Sequence, residues 1–388
     1  MLGLKATHLH AHFHLHEIRL TEVRRLYWSH SLKLIASNLV TVFIPIYLLN
    51  LGYDLGQIVL FYLLMAVFWG ALQYPILWFG NRIGANKSMA ISFFFQFAQL
   101  VLLATLPSAG WPLWLLSLSW AIYVAAYYPC FRASFAKGLG GKHPGRSVGV
   151  ATALTTVAYG IAPAVGGIVA TVFSITAVYV AAMAILVLAA IPLLSAPEII
   201  KNDPFKLSSL RLRRVARDFV ANAASEVDDV ALSIVWPLLI FLIIPTYAGV
   251  GILSSLAVIS GIGISLYVGK REERRGVHHY LNRGVAVTAV SNAGRLAADT
   301  VTSIATVNMF SGLGHALMNT PYVTEYYREG NREPRLAYMY GMMMACAIMD
   351  SLFFGLLYVL TGVVEDKTVL IAGLALIVPV TWAIRLIR

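Results

Sequence analysis

The sequence predicts an all-α polytopic membrane protein with twelve transmembrane helices in two pseudo-symmetric six-helix bundles. Three observations lead to this fold class: a very apolar composition, apolar segments of membrane-spanning length, and an internal repeat. Of the 388 residues, 59% are hydrophobic and 12% are charged, whereas about 25% of the residues in a soluble domain are charged. Such a chain cannot cover its surface with polar groups, so most of that surface must face lipid.

Segments long enough to cross a bilayer, which takes about 20 largely apolar residues, follow one another along the chain. The predicted spans are 32–51, 56–79, 88–106, 112–136, 147–171, 175–195, 224–244, 249–268, 279–299, 301–326, 335–361 and 368–386. They divide the chain into four regions: a histidine-rich N-terminal tail (1–31), an N-terminal bundle (32–196), a basic linker (197–223) and a C-terminal bundle (224–388).

The connectors between the spans alternate between short, almost uncharged loops and basic loops. All lysines and arginines except Lys367 and Arg295 fall on the basic side, and basic loops stay on the cytoplasmic face during insertion. We therefore expect a multi-pass protein of the plasma or inner cell membrane with both termini in the cytoplasm. The net charge of +11 then reflects topology and contact with anionic lipid headgroups, and it requires no nucleic-acid partner.

The two predicted bundles repeat each other. One constant offset places Pro45 on Pro237, Pro129 on Pro321 and Gly84 on Gly276, and it also superposes the predicted spans. Parallel repeats of this kind are related by an axis along the membrane normal.

Two motifs extend this pattern to a resemblance with the major facilitator superfamily, and in particular with its proton-coupled drug-efflux branches. The loop after the eighth span contains a glycine- and arginine-bearing motif, and the loop after the second span contains a degenerate copy in which Leu77 replaces the leading glycine. The fifth span contains the segment AYGIAPAVGG. The matching residues are Gly269, Glu273, Arg274 and Gly276, then Asn81, Arg82, Gly84 and Lys87, and in the fifth span Pro163, Gly166 and Gly167.

The resemblance implies a cytoplasmic gate formed by Arg82, Gly84, Glu273, Arg274, Gly276 and Glu325. Within it we expect Arg274 to pair with Glu325, which lies in the last turn of the tenth span. The alternative is that these charges only cap helices and anchor to lipid headgroups. Pro163, Gly166 and Gly167 are expected to bend the fifth span, and the alternative for them is close helix packing without a role in coupling.

Ionisable residues inside spans are costly and therefore need a reason. Asp350, His315 and Asp229 lie within the eleventh, tenth and seventh spans and are candidates for proton coupling, since carboxyl and imidazole groups can gain and lose protons. For each, a hydrogen bond to a neighbouring helix is the structural alternative. Arg295 and Asp299 are expected to neutralise each other at helical spacing, and Glu226 is expected at headgroup level.

An aromatic face is predicted on the fourth span, where Trp120, Tyr123 and Tyr127 are three and four residues apart. The resemblance implies that the first, fourth, seventh and tenth spans border a central cavity, which adds Asn38 and Asn319 to the predicted lining. An aromatic wall with few polar groups favours a bulky, partly apolar solute, although aromatic packing alone would also explain it.

The tail segment HLHAHFHLH contains His8, His12 and His16, which share a helical face and could hold a zinc or nickel ion. The tail lies outside the membrane path, and we interpret it as a solvated or membrane-surface segment without a metal site.

No enzyme or nucleotide-binding signature is present. The sequence thus predicts a monomeric, cofactor-free secondary active transporter, and not an enzyme, that exports a small amphipathic or hydrophobic solute by alternating access with proton coupling. The alternatives are nutrient uptake or facilitated diffusion, and a non-transporting receptor or scaffold with a metal-responsive histidine tail.

Overall fold

The computed structural model describes residues 25–138 and 160–387, and within these ranges every regular element is a helix. Twelve helical segments in the described ranges coincide in order with the twelve predicted spans. They are α1 (Arg25–Asn50), α2 (Leu55–Ile83), α3 (Ala85–Ala109), α4 (Leu113–Gly138), α5 (described part Gly160–Val172), α6 (Ile175–Leu194), α7 (212–243), α8 (Tyr247–Arg275), α9 (Val277–Arg295), α10 (Val301–Arg332), α11 (Arg335–Thr361) and α12 (Asp366–Leu386).

Eight of these described helices are long and apolar enough to cross a membrane: α1, α2, α3, α4, α6, α8, α11 and α12. The described part of α5 is apolar but short. The helices α7, α9 and α10 carry charged and polar side chains along their length. In a membrane such groups are accommodated on helices that face the protein interior.

Local sequence signals begin and end the helices. Asp54 and Thr300 form capping boxes at the starts of α2 and α10, which satisfy backbone N–H groups that have no partner within the helix. Gly84, between α2 and α3, has a φ of +112°, and a Cβ at this position would lie 2.3 Å from the carboxyl carbon of Glu198. Only glycine satisfies both the backbone angle and the close approach at this turn.

The structure differs from the predicted boundaries in the seventh and ninth spans. The helix α7 begins at Leu212, well before the predicted start at 224, and contains a π-helical turn at Ala231–Val235. The helix α9 ends at Arg295 instead of 299. The polar sequence at the start of α7 hid its helical character because a hydropathy criterion recognises only apolar segments.

Glycines let α5 pack closely against two helices. A Cβ on Gly166 would lie 2.4 Å from the carbonyl oxygen of Leu39 in α1, and a Cβ on Gly167 would lie 2.4 Å from that of Tyr247 in α8. Gly251 in α8 approaches the carbonyl oxygen of Pro163 in the same way. The small residues of the fifth-span motif are therefore contact points, as is common between helices in lipid.

Helices from the two ends of the chain meet at several places. The α2 helix packs along α11, where the Tyr62 and Phe354 rings stack with centroids 5.3 Å apart. The α5 helix packs on α8, where the Ala164 N–H donates to Ser255 Oγ at 2.9 Å. The α4 helix contacts α10 near their C-terminal ends, where Asn331 Nδ2 donates to the Ala136 carbonyl oxygen at 2.9 Å. These contacts surround a central cavity.

Close packing within the C-terminal helices yields a matched pair of substitutions in α8. A Cβ on Gly261 would lie 2.5 Å from the carbonyl oxygen of Gly312, whereas a Cβ on Gly263 would meet nothing within 4 Å. We expect Gly261→Ala to destabilise the protein by about 1–3 kcal/mol through overpacking. Gly263→Ala should be neutral or stabilising by up to about 1 kcal/mol, because alanine is the better helix former. Thermal unfolding in detergent measures both, and equal melting temperatures would contradict the packing.

Candidate functional site

A cavity of about 520 Å³ lies between the N-terminal and C-terminal helices. The helices α1, α4, α7 and α10 supply most of its wall, and α2, α3, α5, α8, α9 and α11 complete it. Of the predicted site residues, the structure brings seven together here from five helices: Asn38, Trp120, Tyr123, Asp229, His315, Asn319 and Asp350, with the bend residue Pro163 of α5 beside them.

Tyr127 was predicted on the cavity wall but lies behind it. Its side chain is 1% exposed, and its hydroxyl is 2.8 Å from the Nδ1 atom of His30. Apart from Tyr123, the α4 residues that face the cavity recur every fourth position: Trp120, Val124, Tyr128 and Arg132. A stripe with this spacing turns slowly around the helix, so Tyr128 occupies the position expected of Tyr127.

The wall is more polar than the sequence predicted. Aromatic side chains are present on several helices, with Trp69 and Trp236 joining Trp120 and Tyr123. The predicted aromatic wall had few polar groups, but charged and amide side chains lie between the aromatic ones: Lys33, Gln96, Gln99, Arg132, Glu226, Arg295 and Asn308. Such a cavity can contact both an apolar body and polar groups of a solute.

His315 lies between two adjacent aspartates of α7. Its Nε2 atom is 3.3 Å from Asp228 Oδ2 and 3.5 Å from Asp229 Oδ1. The Asp228 side chain is fully buried, whereas that of Asp229 is 57% exposed within the cavity. The imidazole thus connects a carboxyl group in the protein interior with one that is open to the cavity. The π-helical turn begins at Ala231, two residues after Asp229, and such turns are frequent at functional sites.

Asp228, the sequence neighbour of the proton-coupling candidate Asp229, is the best-anchored acid of the site. Its Oδ1 atom accepts hydrogen bonds from Asn292 Nδ2 at 2.6 Å and from Thr381 Oγ1 at 2.9 Å. A buried carboxylate needs such donors. The sequence places Asp228 and Asp229 side by side, and only the packing of α9 and α12 against α7 distinguishes their roles.

Arg295 completes this network, and the predicted Arg295–Asp299 pair is wrong. The α9 helix ends at Arg295 and Asp299 is exposed, so the two residues no longer share a helical face. The Arg295 guanidinium instead points inward, where it donates to Asn292 Oδ1 and, at 2.6 Å, to Ser311 Oγ. Asn292 therefore links the guanidinium of Arg295 to the carboxylate of Asp228.

Two further acids face the cavity. Asp350 is 1% exposed, and its Oδ1 atom has no hydrogen-bond partner among the described residues. Glu226, expected at headgroup level, lies on the cavity wall close to the Cys346 thiol. The reason is the early start of α7, which places Glu226 in the middle of that helix and not in its first turn.

Two cations also line the cavity, although the sequence assigned them to the basic flank. The fully buried Lys33 donates from Nζ to the Tyr128 hydroxyl at 2.8 Å. The Arg132 guanidinium donates to the Tyr326 hydroxyl at 3.2 Å. Both residues lie within a helical turn or two of the predicted span ends, a distance at which hydropathy cannot tell a snorkelling cation from one that faces the interior.

A smaller cavity of about 220 Å³ extends from the main one towards the end of the bundle that carries the linker 195–211, which we call the linker end. Aromatic side chains line it: Tyr27, Phe131, Phe135, Tyr322, Tyr326 and Tyr327. Tyr128, Arg132, Glu226, Asp229 and Asn319 belong to both cavities. We call this smaller cavity the vestibule.

The predicted gate residues have different surroundings at the linker end. Arg82 stacks on the Trp78 ring at 3.8 Å. Glu325 pairs with Arg328 of its own helix. The side chains of Glu273 and Arg274 lie outside the described residues, so the Arg274–Glu325 pair stays a prediction. Gly276 has a φ of +84° at the turn between α8 and α9. The candidate metal ligands His8, His12 and His16 also lie outside the described residues.

A carboxylate that the sequence analysis did not select, Glu198, fixes the loop between α2 and α3. Its oxygens accept from the backbone N–H groups of Asn86 and Lys87, at 2.8 and 3.2 Å. This places a negative charge at the N-terminus of α3, where the helix dipole favours it.

The linker ties helices of both halves together at Asp203. Its carboxylate lies 3.2 Å from Lys137 Nζ at the end of α4 and 4.0 Å from the Arg335 guanidinium at the start of α11. Next to it, the Phe205 ring lies against Tyr74 of α2 and Tyr340 of α11. The Asp203 backbone is held separately by the side chain of Asn81.

Comparisons with known proteins concern the fold. No protein-family model matches the sequence, and no curated protein is significantly similar to it. Among solved structures, the chain resembles the human organic anion transporter MFSD10 (TETRAN), with a TM-score of 0.64 and 11% sequence identity over 94% of this chain and 99% of that one. This likeness confirms the predicted all-α polytopic membrane fold of the major facilitator superfamily type.

The neighbouring aspartates give a first test of the site. We expect Asp228→Asn to destabilise the protein by about 1–3 kcal/mol, since the new amide would set N–H groups against the donors from Asn292 and Thr381. Asp229→Asn should change stability by less than about 0.5 kcal/mol, because its side chain makes no such bonds and faces the cavity. Thermal unfolding in detergent compares the two, and a larger effect at Asp229 would contradict the assignment.

The linker contact gives a second test. Asp203→Asn removes two ion pairs but leaves the backbone bonds to Asn81, and it should make the linker end open more often. In a background without Cys130 and Cys346, we expect maleimide to label Asn319→Cys about two- to tenfold faster when Asp203→Asn is also present than when it is absent. This range corresponds to the modest free energy of partly exposed ion pairs. Glu365→Gln, which removes an exposed acid at the other end, serves as the control. Equal labelling rates in the two variants would contradict the role of Asp203.

Proposed function

We propose that this chain is a secondary active transporter that moves a small amphipathic organic solute through the central cavity by alternating access and couples this movement to protons. The observation that carries the proposal is the position of His315 between a buried and a cavity-facing aspartate. The fold is shared with the transporter MFSD10, which supports transport in general terms. We further propose export as the direction and the cell membrane as the location, with the linker end in the cytoplasm.

The proposed route for the proton runs through Asp229, His315 and Asp228. Asp229 faces the solute space and can take up a proton there, and His315 contacts both Asp229 and Asp228. Asp228 is in turn joined to Arg295 through Asn292. A change in the protonation of this network alters which hydrogen bonds α7, α9 and α10 can form with one another. Proton binding therefore biases the relative position of these helices, as coupling requires.

The solute would occupy the space between this acidic wall and the aromatic side chains. Asn38 and Asn319 line the same space and could contact polar groups of the solute. Gly167 of the fifth span forms part of the α5–α8 contact between the halves. Asp203 and the Arg274–Glu325 pair are proposed to hold the linker end closed in alternation with contacts at the other end.

Facilitated diffusion is the competing function, and replacement of His315 by glutamine separates the two. Glutamine keeps hydrogen-bonding capacity but cannot carry a proton at neutral pH. In proteoliposomes loaded with a pH-sensitive dye, we expect wild-type protein to change the internal pH when an amphipathic solute is added. His315→Gln should reduce this proton movement at least about tenfold while solute counterflow, which needs no net proton transfer, continues.

His278→Gln is the matched control, because His278 is exposed on α9 outside both cavities. It should behave as wild type. Solute flux without any pH change in the wild-type protein would establish facilitated diffusion instead. Deletion of residues 1–18 should leave flux intact, whereas a receptor with a metal-responsive tail would lose its response.

A further inference from the structure

We propose that Arg132 and Tyr128 form a subsite for an anionic group of the solute, such as a sulfonate, carboxylate or phosphate, and that Lys33 positions Tyr128 for this contact. The inference deepens the proposed function and rests on it in one respect, namely that the solute occupies the central cavity. It concerns what the solute carries and not how the transport is driven.

Arg132 has N–H donors left to bind an anion. It lines both the cavity and the vestibule, and among the described residues no carboxylate lies within 4.0 Å of its guanidinium. Its hydrogen bond goes to the neutral hydroxyl of Tyr326. A guanidinium has five N–H donors in a planar fork that fits two oxygens of an anion. Glu226 of the same cavity acts on the guanidinium only from beyond 4.0 Å, so an anion that enters the cavity can become its close counter-charge.

Lys33 and Tyr128 supply the second donor. Because Lys33 Nζ donates to the Tyr128 hydroxyl, the phenol oxygen acts as the acceptor in that bond and its own hydrogen remains for a ligand. Lys33 is itself fully buried among aromatic rings, with centroids at 4.4 Å for Tyr128 and 4.9 Å for Tyr127. It cannot reach the solute while the rings cover it, so it acts through Tyr128.

The distribution of charge over the cavity gives the solute an orientation. The cations Lys33 and Arg132 stand on α1 and α4, whereas the acids Glu226, Asp229 and Asp350 stand on α7 and α11. Arg295 of α9 also lines the second wall, but its charge is linked to that of Asp228 through Asn292. An anionic group is attracted to the first wall and repelled by the second. The apolar part of the solute can then pack against Trp120 of α4 and Trp69 of α2, which are exposed to the same space.

A pair of probes of equal shape tests the subsite. Naphthalenesulfonate and naphthalenesulfonamide differ in charge but hardly in size. With wild-type protein in nanodiscs, we expect the sulfonate to bind about ten- to hundredfold more tightly, the range expected for charge-assisted hydrogen bonds. Arg132→Gln should abolish this ratio by weakening the sulfonate alone, and Arg132→Lys should restore part of it. Tyr128→Phe should reduce the ratio by a smaller factor. Quenching of tryptophan fluorescence measures the binding.

The positioning role of Lys33 has its own readout. Lys33→Met should lower the sulfonate-to-sulfonamide ratio about as much as Tyr128→Phe does, and the two effects should not add in the double variant. Lys33→Arg should restore the ratio, which a loss of structure would not allow. Unchanged sulfonamide affinity shows that each variant has kept its cavity.

Equal affinity of the two probes for the wild-type protein overturns the anion subsite, as does a ratio that survives in both Arg132→Gln and Tyr128→Phe. Neither result affects the proposed function if neutral solutes still change the internal pH of proteoliposomes. Conversely, a clear preference for the sulfonate without proton movement for any solute would overturn proton coupling and leave the subsite in place.

Discussion

The structure depends on one constraint: a charged group inside a helical bundle in lipid must find a partner in the protein or face a cavity, because the hydrocarbon offers neither water nor counter-ions. The network of Asp228, His315, Asn292 and Arg295 satisfies this constraint through hydrogen bonds between α7, α9 and α10. The helices that carry these residues bear charged and polar side chains, so their polar faces fix which side of each helix points inward.

Close packing is the second element of the architecture. Gly166 brings α5 against α1 of its own half, and Gly167 brings it against α8 of the other half, so this contact between the halves is made largely by backbone. Backbone contacts without interlocking side chains can slide, and they are re-formed without a change of rotamers. Charged contacts at the linker end, such as Asp203 with Lys137, are of a different kind, because water and ions can compete for them. In the proposed alternating access, the cavity opens at one end and then at the other. This cycle thus combines a backbone contact between the halves with ion pairs that water and ions can break.

The sequence located much of the site but not its connections. The intramembrane residues Asp229, His315 and Asp350 all line the cavity, because a polar group in an apolar segment is visible from composition alone. Arg295 was paired with the wrong residue because helical spacing was assumed beyond the end of α9. Lys33 and Arg132 were missed because they lie near span ends, where charge counting assigns every cation to the headgroups.

The sequence by itself determined the number and order of the helices, since the length of an apolar segment is set by the thickness of the bilayer. It also indicated the small residues of the fifth span, for which close helix packing was one of the two interpretations. Only the tertiary structure decided which of two adjacent aspartates is buried and which tyrosine of α4 faces the cavity. It also decided that Lys33 and Arg132 point inward. These choices depend on the rotation of each helix about its axis, which is fixed by long-range packing between helices and not by local periodicity.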